Sequence, residues 1–340
     1  MKATVKRWLG RVPGFYRPNI LSPRAVKWAY RLLLDRDPEN RKVVSEKLHG
    51  PIRNVPDLRR DLILSAEFAG NNPDIAPFPL GTIVIAELSC GKRLYVDLGD
   101  GGVGGPIVRG TFESELLNIL SALIEPGITA LDIGANIGFF TIHLAHLLGP
   151  TGRVVAYEPI REAAALLNMS IRENHLENVV TLEETAVGDR KGHADILFVH
   201  NARNQGASYL VDDGPSMCAT SHEVRRIPMR TLDACAFPGR VGFIKMDVEG
   251  AEPLCLRGAD QLLQRDRPII MTEVHPVQLN RVCRATAATF LNQFLQAGYR
   301  CYAPGRGGFT RLQAGDPVDD TLTLIAVPDE DERAQALLRK

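Results

Sequence analysis

Leu131-Asp132-Ile133-Gly134-Ala135-Asn136-Ile137-Gly138 reads as the end of a buried strand, a glycine-bearing turn and the start of a helix. Such a turn lets backbone approach a ligand closely, and the first N–H groups of a helix lack intrahelical partners. A second apolar run closes at Tyr157-Glu158-Pro159, with Glu158 twenty residues beyond Gly138. A carboxylate at that spacing suits the two hydroxyls of a ribose. Together they predict a nucleoside cofactor.

The dinucleotide fingerprint G-x-G-x-x-G is absent, and no Lys-Ser/Thr pair makes a phosphate loop. A strand-end carboxylate, Asp132, would repel a pyrophosphate and suits a cation. S-adenosylmethionine meets both conditions, since it carries an ammonium beside a sulfonium and no phosphate. The expected cofactor contacts are Asp132, Gly134, Ala135, Asn136 and Gly138 at the turn, with Glu158 on the ribose. Ala186, in the stretch after the third strand of the alternating region, is expected to face the base, mostly through backbone.

Outward from this turn, from about residue 116, the chain alternates strand and helix. Strands are predicted at 130–133, 154–158, 179–182, 243–246 and 269–274, with a final pair at 299–302 and 321–327. Helices are predicted at 139–148, 162–173, 252–263 and 285–297. Alternation with apolar strands implies a parallel sheet covered on both faces, with ligands at the carboxyl ends of its strands. Asp132, Glu158, Asp247 and Glu273 all fall at or beside such ends. Before this region, 82–85 and 94–96 are strand-like, joined by a turn at Cys90-Gly91-Lys92, and 99–105 is a glycine-rich loop. The first 75 residues read as helical and 71–79 as a linker, so the expected units are 1–75, 80–328 and a tail, 329–340.

Composition bounds the function. The chain has 340 residues, 45% apolar and 24% charged, with a formal net charge of zero. That balance argues against a nucleic-acid partner. The charge is uneven, however: residues 1–34 hold eight Lys/Arg and no acid before Asp35, which suits an anionic membrane surface or glycolipid. No apolar run approaches the ~20 residues of a membrane-spanning helix, and no secretory leader pattern opens the chain. The six cysteines are scattered without a CxxC pair. A cytoplasmic protein, peripheral at most to the inner membrane face, is the expectation, with no metal site.

Lys245-Met246-Asp247-Val248-Glu249-Gly250-Ala251-Glu252 is the second constellation. Period-two alternation sets Lys245, Asp247 and Glu249 on one side while the chain stays extended. Glu273-Val274-His275 is the third, and its histidine is a natural proton acceptor for a hydroxyl. Asp247, His275, Lys245 and Glu273 are therefore the candidate catalytic residues, with His275 or Asp247 as base and Lys245 orienting the acids.

Asp132–Gly138, Glu158-Pro159, Arg230-Thr231-Leu232-Asp233, Lys245–Glu252, Leu256-Arg257-Gly258-Ala259 and Glu273 with His275 occur in the order and spacing of the FkbM-type methyltransferases. The resemblance covers roughly 82–327. It implies a class I methyltransferase fold, a Rossmann-like α/β sheet that is mostly parallel with an antiparallel last strand, here following a small N-terminal helical domain. It also implies S-adenosylmethionine as methyl donor and, usually, a hydroxyl acceptor. Gly110-Thr111-Phe112-Glu113 is similar to a family segment near the cofactor, which adds Glu113 to the expected contacts. Tyr30–Pro38 and Ser65–Phe68 resemble a helical module that accompanies bacterial glycosyltransferases and surface-polysaccharide proteins, and so imply a small-molecule or glycan acceptor. N- or C-methylation of another small molecule, and a nonenzymatic scaffold of a glycan-assembly complex, stay open.

Overall fold

The computed structural model describes residues 21–50, 52–63, 65, 68, 81–199, 208–211, 222–305 and 308–339. The chain divides into two units, Met1–Thr82 and Ile83–Lys340. The basic stretch before residue 21, the linker at 71–79, the Asn204–Ala207 turn and Cys218 lie outside the described residues.

In the first unit, Pro23 opens α1 (Pro23–Leu34), and the Ser22 side chain accepts the Ala25 N–H as its cap. Asn40 caps α2 (Arg41–His49) in the same way, and α3 (Val55–Ile63) follows. Helical spacing turns Val26, Tyr30 and Leu34 of α1 onto Leu58, Leu62 and Phe68, which form a small separate core.

The second unit opens with a hairpin of β1 (Ile83–Glu87) and β2 (Arg93–Asp97). Part of the glycine-rich loop is helical: Asp100 accepts the Gly102 and Val103 N–H groups and starts α4 (Gly104–Arg109). Next come α5 (Ser114–Leu123), β3 (Thr129–Ile133), α6 (Phe139–Leu148), β4 (Arg153–Tyr157), α7 (Arg161–Glu173) and β5 (Val180–Glu183). After β6 (Ala186–Val187), β7 (Gly192–Val199), β8 (Tyr209–Val211) and β9 (His222–Arg230), the alternation resumes with β10 (Val241–Met246), α8 (Glu252–Arg257), α9 (Asp260–Asp266), β11 (Ile269–Val274), α10 (Pro276–Cys283) and α11 (Ala287–Gln296). The chain closes with β12 (Tyr299–Gly305), β13 (Gly308–Leu312), β14 (Leu322–Pro328) and α12 (Glu332–Leu337).

The main sheet has the order β13-β12-β14-β11-β10-β3-β4-β5. Strands β5, β4, β3, β10 and β11 are parallel, and β14 inserts antiparallel beside β11. Every residue of β3 is buried, as a strand covered on both faces requires. One apolar layer includes Phe139, Ile142 and Leu167, and the other includes Met246, Leu262 and Phe290. This is the expected α/β architecture, a mostly parallel sheet covered on both faces.

Three features depart from the sequence expectation. The segment 192–230 contributes strands of a second sheet, β6-β9-β7-β8, whose core is Ala186, Ile196, Ile227 and Met229. The single helix expected over 252–263 is split at Gly258, whose backbone passes so close to the Gly188 carbonyl oxygen that a Cβ would lie 2.0 Å from it. The expected tail carries α12 and buries Leu338, and the Arg300 guanidinium donates to Gln335. Among the described residues, no helix is long and apolar enough to cross a membrane.

Candidate active site

Four adjacent parallel strands end at one edge of the sheet, and each brings a carboxylate there. Lys245 of β10 lies in register beside Asp132 of β3. Its Nζ sits 3.9 Å from Asp132 Oδ1, 3.3 Å from Asp247 Oδ2 and 3.4 Å from the Gly134 carbonyl oxygen. The ammonium also lies 4.9 Å from the centroid of the Phe140 ring. Burial works against the Lys245 charge, but Asp247 and Asp132 outweigh it and raise the pKa above the usual lysine value.

Asp132 is fully buried. Its Oδ2 accepts the Thr141 hydroxyl at 2.6 Å, and Oδ1 has no hydrogen-bond partner. Burial lifts its carboxyl, opposed by Lys245 and by the hydroxyl and N–H of Thr141. Within the protein, Asp132 accepts from the first turn of α6 and faces Lys245.

The turn itself is folded inward. The Gly134 and Ala135 N–H groups both donate to the Tyr157 carbonyl, and the Asn136 N–H donates to Glu158 Oε2 at 2.8 Å. Glu158 Oε1 accepts the Ile160 N–H at 2.7 Å. Gly134, at φ +79, is needed for a contact inside the chain, since a Cβ there would lie 1.9 Å from the Asp247 carbonyl oxygen. At Gly138 a Cβ would meet the Leu167 side chain at 2.3 Å. A turn that spends these N–H groups on the Tyr157 carbonyl and the Glu158 carboxylate offers no phosphate cradle. That donor set fits a nucleoside cofactor without phosphates.

Around Lys245 stands a wall of acids. Asp247 is partly open to solvent, with 42% of its side chain exposed. Partial burial, with Asp247 nearby, pushes Glu273 up to about 7 and Glu249 up to about 8. Glu249 takes a left-handed backbone conformation and accepts from Gln278 Nε2 at 3.3 Å. Glu113, also left-handed at the start of α5, is raised by desolvation and then by Asp247. Glu252 is buried, accepts the Val248 N–H and is pushed to about 7 by burial, so it holds the loop instead of facing a ligand. Burial also pushes Glu158 up to about 7. Among the described residues, no group of His, Cys, Asp and Glu is arranged to hold a metal.

These raised carboxyls have a thermodynamic consequence. An unfolded glutamate titrates near 4.3, so between that value and 7 to 8 the folded chain holds protons that the unfolded chain has lost. Stability then falls as pH rises through this window. The ligand-free protein is expected to melt at a higher temperature at pH 7 than at pH 8.5 in scanning calorimetry. Buried His143, whose pKa is lowered by desolvation, acts the opposite way only below its ordinary value near 6.5. A melting temperature that climbs towards pH 8.5 would contradict the raised values.

His275 and Ala186, also expected at the site, have partners of their own. His275 lies beyond the end of β11 and caps α10, its Nδ1 accepting the Gln278 N–H at 3.5 Å. Ala186 packs its side chain into the core of the second sheet, which leaves only its backbone for a ligand. The sequence reading missed Thr141, Phe140 and Gln278. Thr141 was findable in principle, because a hydroxyl in the first turn after a strand-end aspartate can reach it.

The model of the FkbM methyltransferase domain matches residues 132–301, half of the chain. The chain belongs to the FkbM methyltransferase family. It is an S-adenosylmethionine-dependent methyltransferase, and the donor set described above fits that cofactor. No curated protein matches the chain. Among solved structures, it is similar to a methyltransferase FkbM from Methylobacillus flagellatus KT at 16% identity and TM-score 0.40, over 88% of this chain and 58% of that one. It is also similar to a precorrin-6y C5,15-methyltransferase from Geobacter metallireducens GS-15, at 15% identity and TM-score 0.36 over 64% and 88% of the two chains. A third is an S-adenosylmethionine-dependent O-methyltransferase from Thermotoga maritima, at 14% identity and TM-score 0.35 over 76% and 82%.

For this FkbM methyltransferase, Glu158→Ala is expected to weaken S-adenosylmethionine binding about 30-fold in calorimetry. That corresponds to about 2 kcal/mol for losing a charged acceptor of the ribose hydroxyls. Unchanged affinity would remove Glu158 from the cofactor site.

Proposed function

We propose that the protein transfers the methyl group of S-adenosylmethionine to a hydroxyl oxygen of a sugar or glycan precursor. The observation that carries this reading is Asp247, partly exposed beside the buried Lys245 ammonium at the carboxyl edge of the sheet. The cofactor supplies an electrophilic methyl group on a cationic sulfur. Glu158 and the Gly134–Gly138 turn hold its nucleoside, with the Ala186 backbone towards the base. Asp247 favours its cationic end, and the raised carboxyls of Glu113, Glu249 and Glu273 are placed to ionise beside that charge.

Asp247 accepts the acceptor hydroxyl's proton as the oxygen takes the methyl carbon from sulfur, the carbon–sulfur bond breaking to leave neutral S-adenosylhomocysteine. Lys245 orients Asp247, and Glu273 borders the acceptor space. Of the two candidate bases, the hydrogen bond at His275 favours Asp247.

The glycan class rests on the N-terminal resemblance to modules of bacterial polysaccharide assembly, and on a carboxylate wall suited to hydroxyl donors. A panel of nucleotide sugars, lipid-linked saccharides and amines, incubated with a labelled methyl donor, tests it. Label released as an acid-stable O-methyl sugar supports the reading. Label found only on nitrogen or carbon overturns it.

A further inference from the structure

In the first unit, α1 presents two different faces. Ala25, Val26, Tyr30 and Leu34 are buried. The opposite face carries Arg24, Lys27, Trp28, Arg31 and Leu32, all exposed, and their spacing of three and four residues makes one stripe. Trp28 is 53% exposed and Leu32 67% exposed. These are large apolar side chains set among cations, an arrangement that neither the small core nor simple solvation requires.

The charge of this face is not cancelled by its neighbours. Residues 1–34 contain no acid. Of the acids that follow, Asp37 forms a two-point ion pair with Arg31 and Glu39 pairs with Arg36. Arg24 and Lys27 form no salt bridge among the described residues. Lys27 feels Asp37 only at longer range, so the stripe keeps more cations than acids on one edge, with an indole and a leucine beside them.

The geometry points to an anionic lipid bilayer as the occupant of this face. Lys and Arg near an anionic surface add about fivefold each to partitioning, and an indole prefers the boundary between headgroups and acyl chains. With its other face held by Leu58, Leu62 and Phe68, α1 would lie parallel to the membrane and insert only Trp28 and Leu32. The inference concerns attachment, and it stands or falls independently of the acceptor.

The test uses the full chain with phosphatidylglycerol-containing and pure phosphatidylcholine vesicles. The wild type should co-sediment with the former at low salt and be released at high salt. Arg24→Glu with Lys27→Glu should weaken that binding about 25-fold or more, and Trp28→Ser with Leu32→Ser should weaken it while leaving circular dichroism unchanged. The chain has two tryptophans, so Trp8→Phe leaves Trp28 alone as a probe. Its emission should shift to the blue on adding the anionic vesicles only. Failure of the wild type to bind, or binding indifferent to both double variants, overturns the proposal. So does self-association that Leu32→Ser abolishes without any vesicle binding, which would make the face a contact between copies of the chain.

Discussion

Asp247→Asn is expected to slow methyl transfer by about 10²- to 10⁴-fold, the range for losing a positioned general base, with S-adenosylmethionine affinity changed only a few-fold. Asparagine keeps the size of the side chain and can still meet the Lys245 ammonium, which lies 3.3 Å from Asp247 Oδ2. What it cannot do is accept a proton. His275→Ala should behave differently. It removes the cap of α10, where Nδ1 accepts the Gln278 N–H, at a cost of about 1 kcal/mol in stability, while turnover stays within about tenfold. Single-turnover measurements with a labelled methyl donor, on the acceptor identified by the panel, compare the two. If His275→Ala has the larger effect on the rate, the base is the histidine and Asp247 serves only to hold Lys245.

Lys245→Met should destabilise the protein by about 3–5 kcal/mol, the cost of leaving a buried charge without its partner. Asp132 is fully buried, and Oδ1 has no hydrogen-bond partner, so the ammonium 3.9 Å away is its main compensation on that side. Asp132→Asn in the same chain removes the charge that would be stranded. The double variant should therefore recover much of the lost stability in urea titration, with an unchanged m-value. Its methyl transfer should stay low, because Asp247 has lost the cation that orients it. Additive losses would mean that the two residues do not act as a pair.

Much of the fold follows from local pattern. Apolar runs at 130–133, 154–158, 243–246 and 269–274 correspond to β3, β4, β10 and β11, because strands covered on both faces are built mostly of apolar residues, with Asp132 and Lys245 the charged pair buried among them. The second sheet was not legible. In β9, charged Arg225 and Arg226 and the ring of Pro228 interrupt any alternation, and the strand exists because it pairs with β7 over its length. The Gly258 break was equally hidden, since it depends on the Gly188 carbonyl, which is remote in sequence.

The site divides in the same way. The sequence by itself determined which residues collect at one edge, because parallel strands must end together: Asp132, Glu158, Lys245, Asp247 and Glu273. It also excluded a pyrophosphate cofactor, through the missing glycine and the strand-end acid. Only the tertiary structure decided what each residue faces. Asp132 and Lys245 are adjacent because β3 and β10 pair in register, although they are far apart in sequence. The turn's N–H groups point inward because the Tyr157 carbonyl and the Glu158 carboxylate, brought by the next strand, receive them. The His275 ring becomes a cap because a helix starts beside it. Side-chain direction and partnership come from contacts between distant segments, which periodicity along one strand cannot specify.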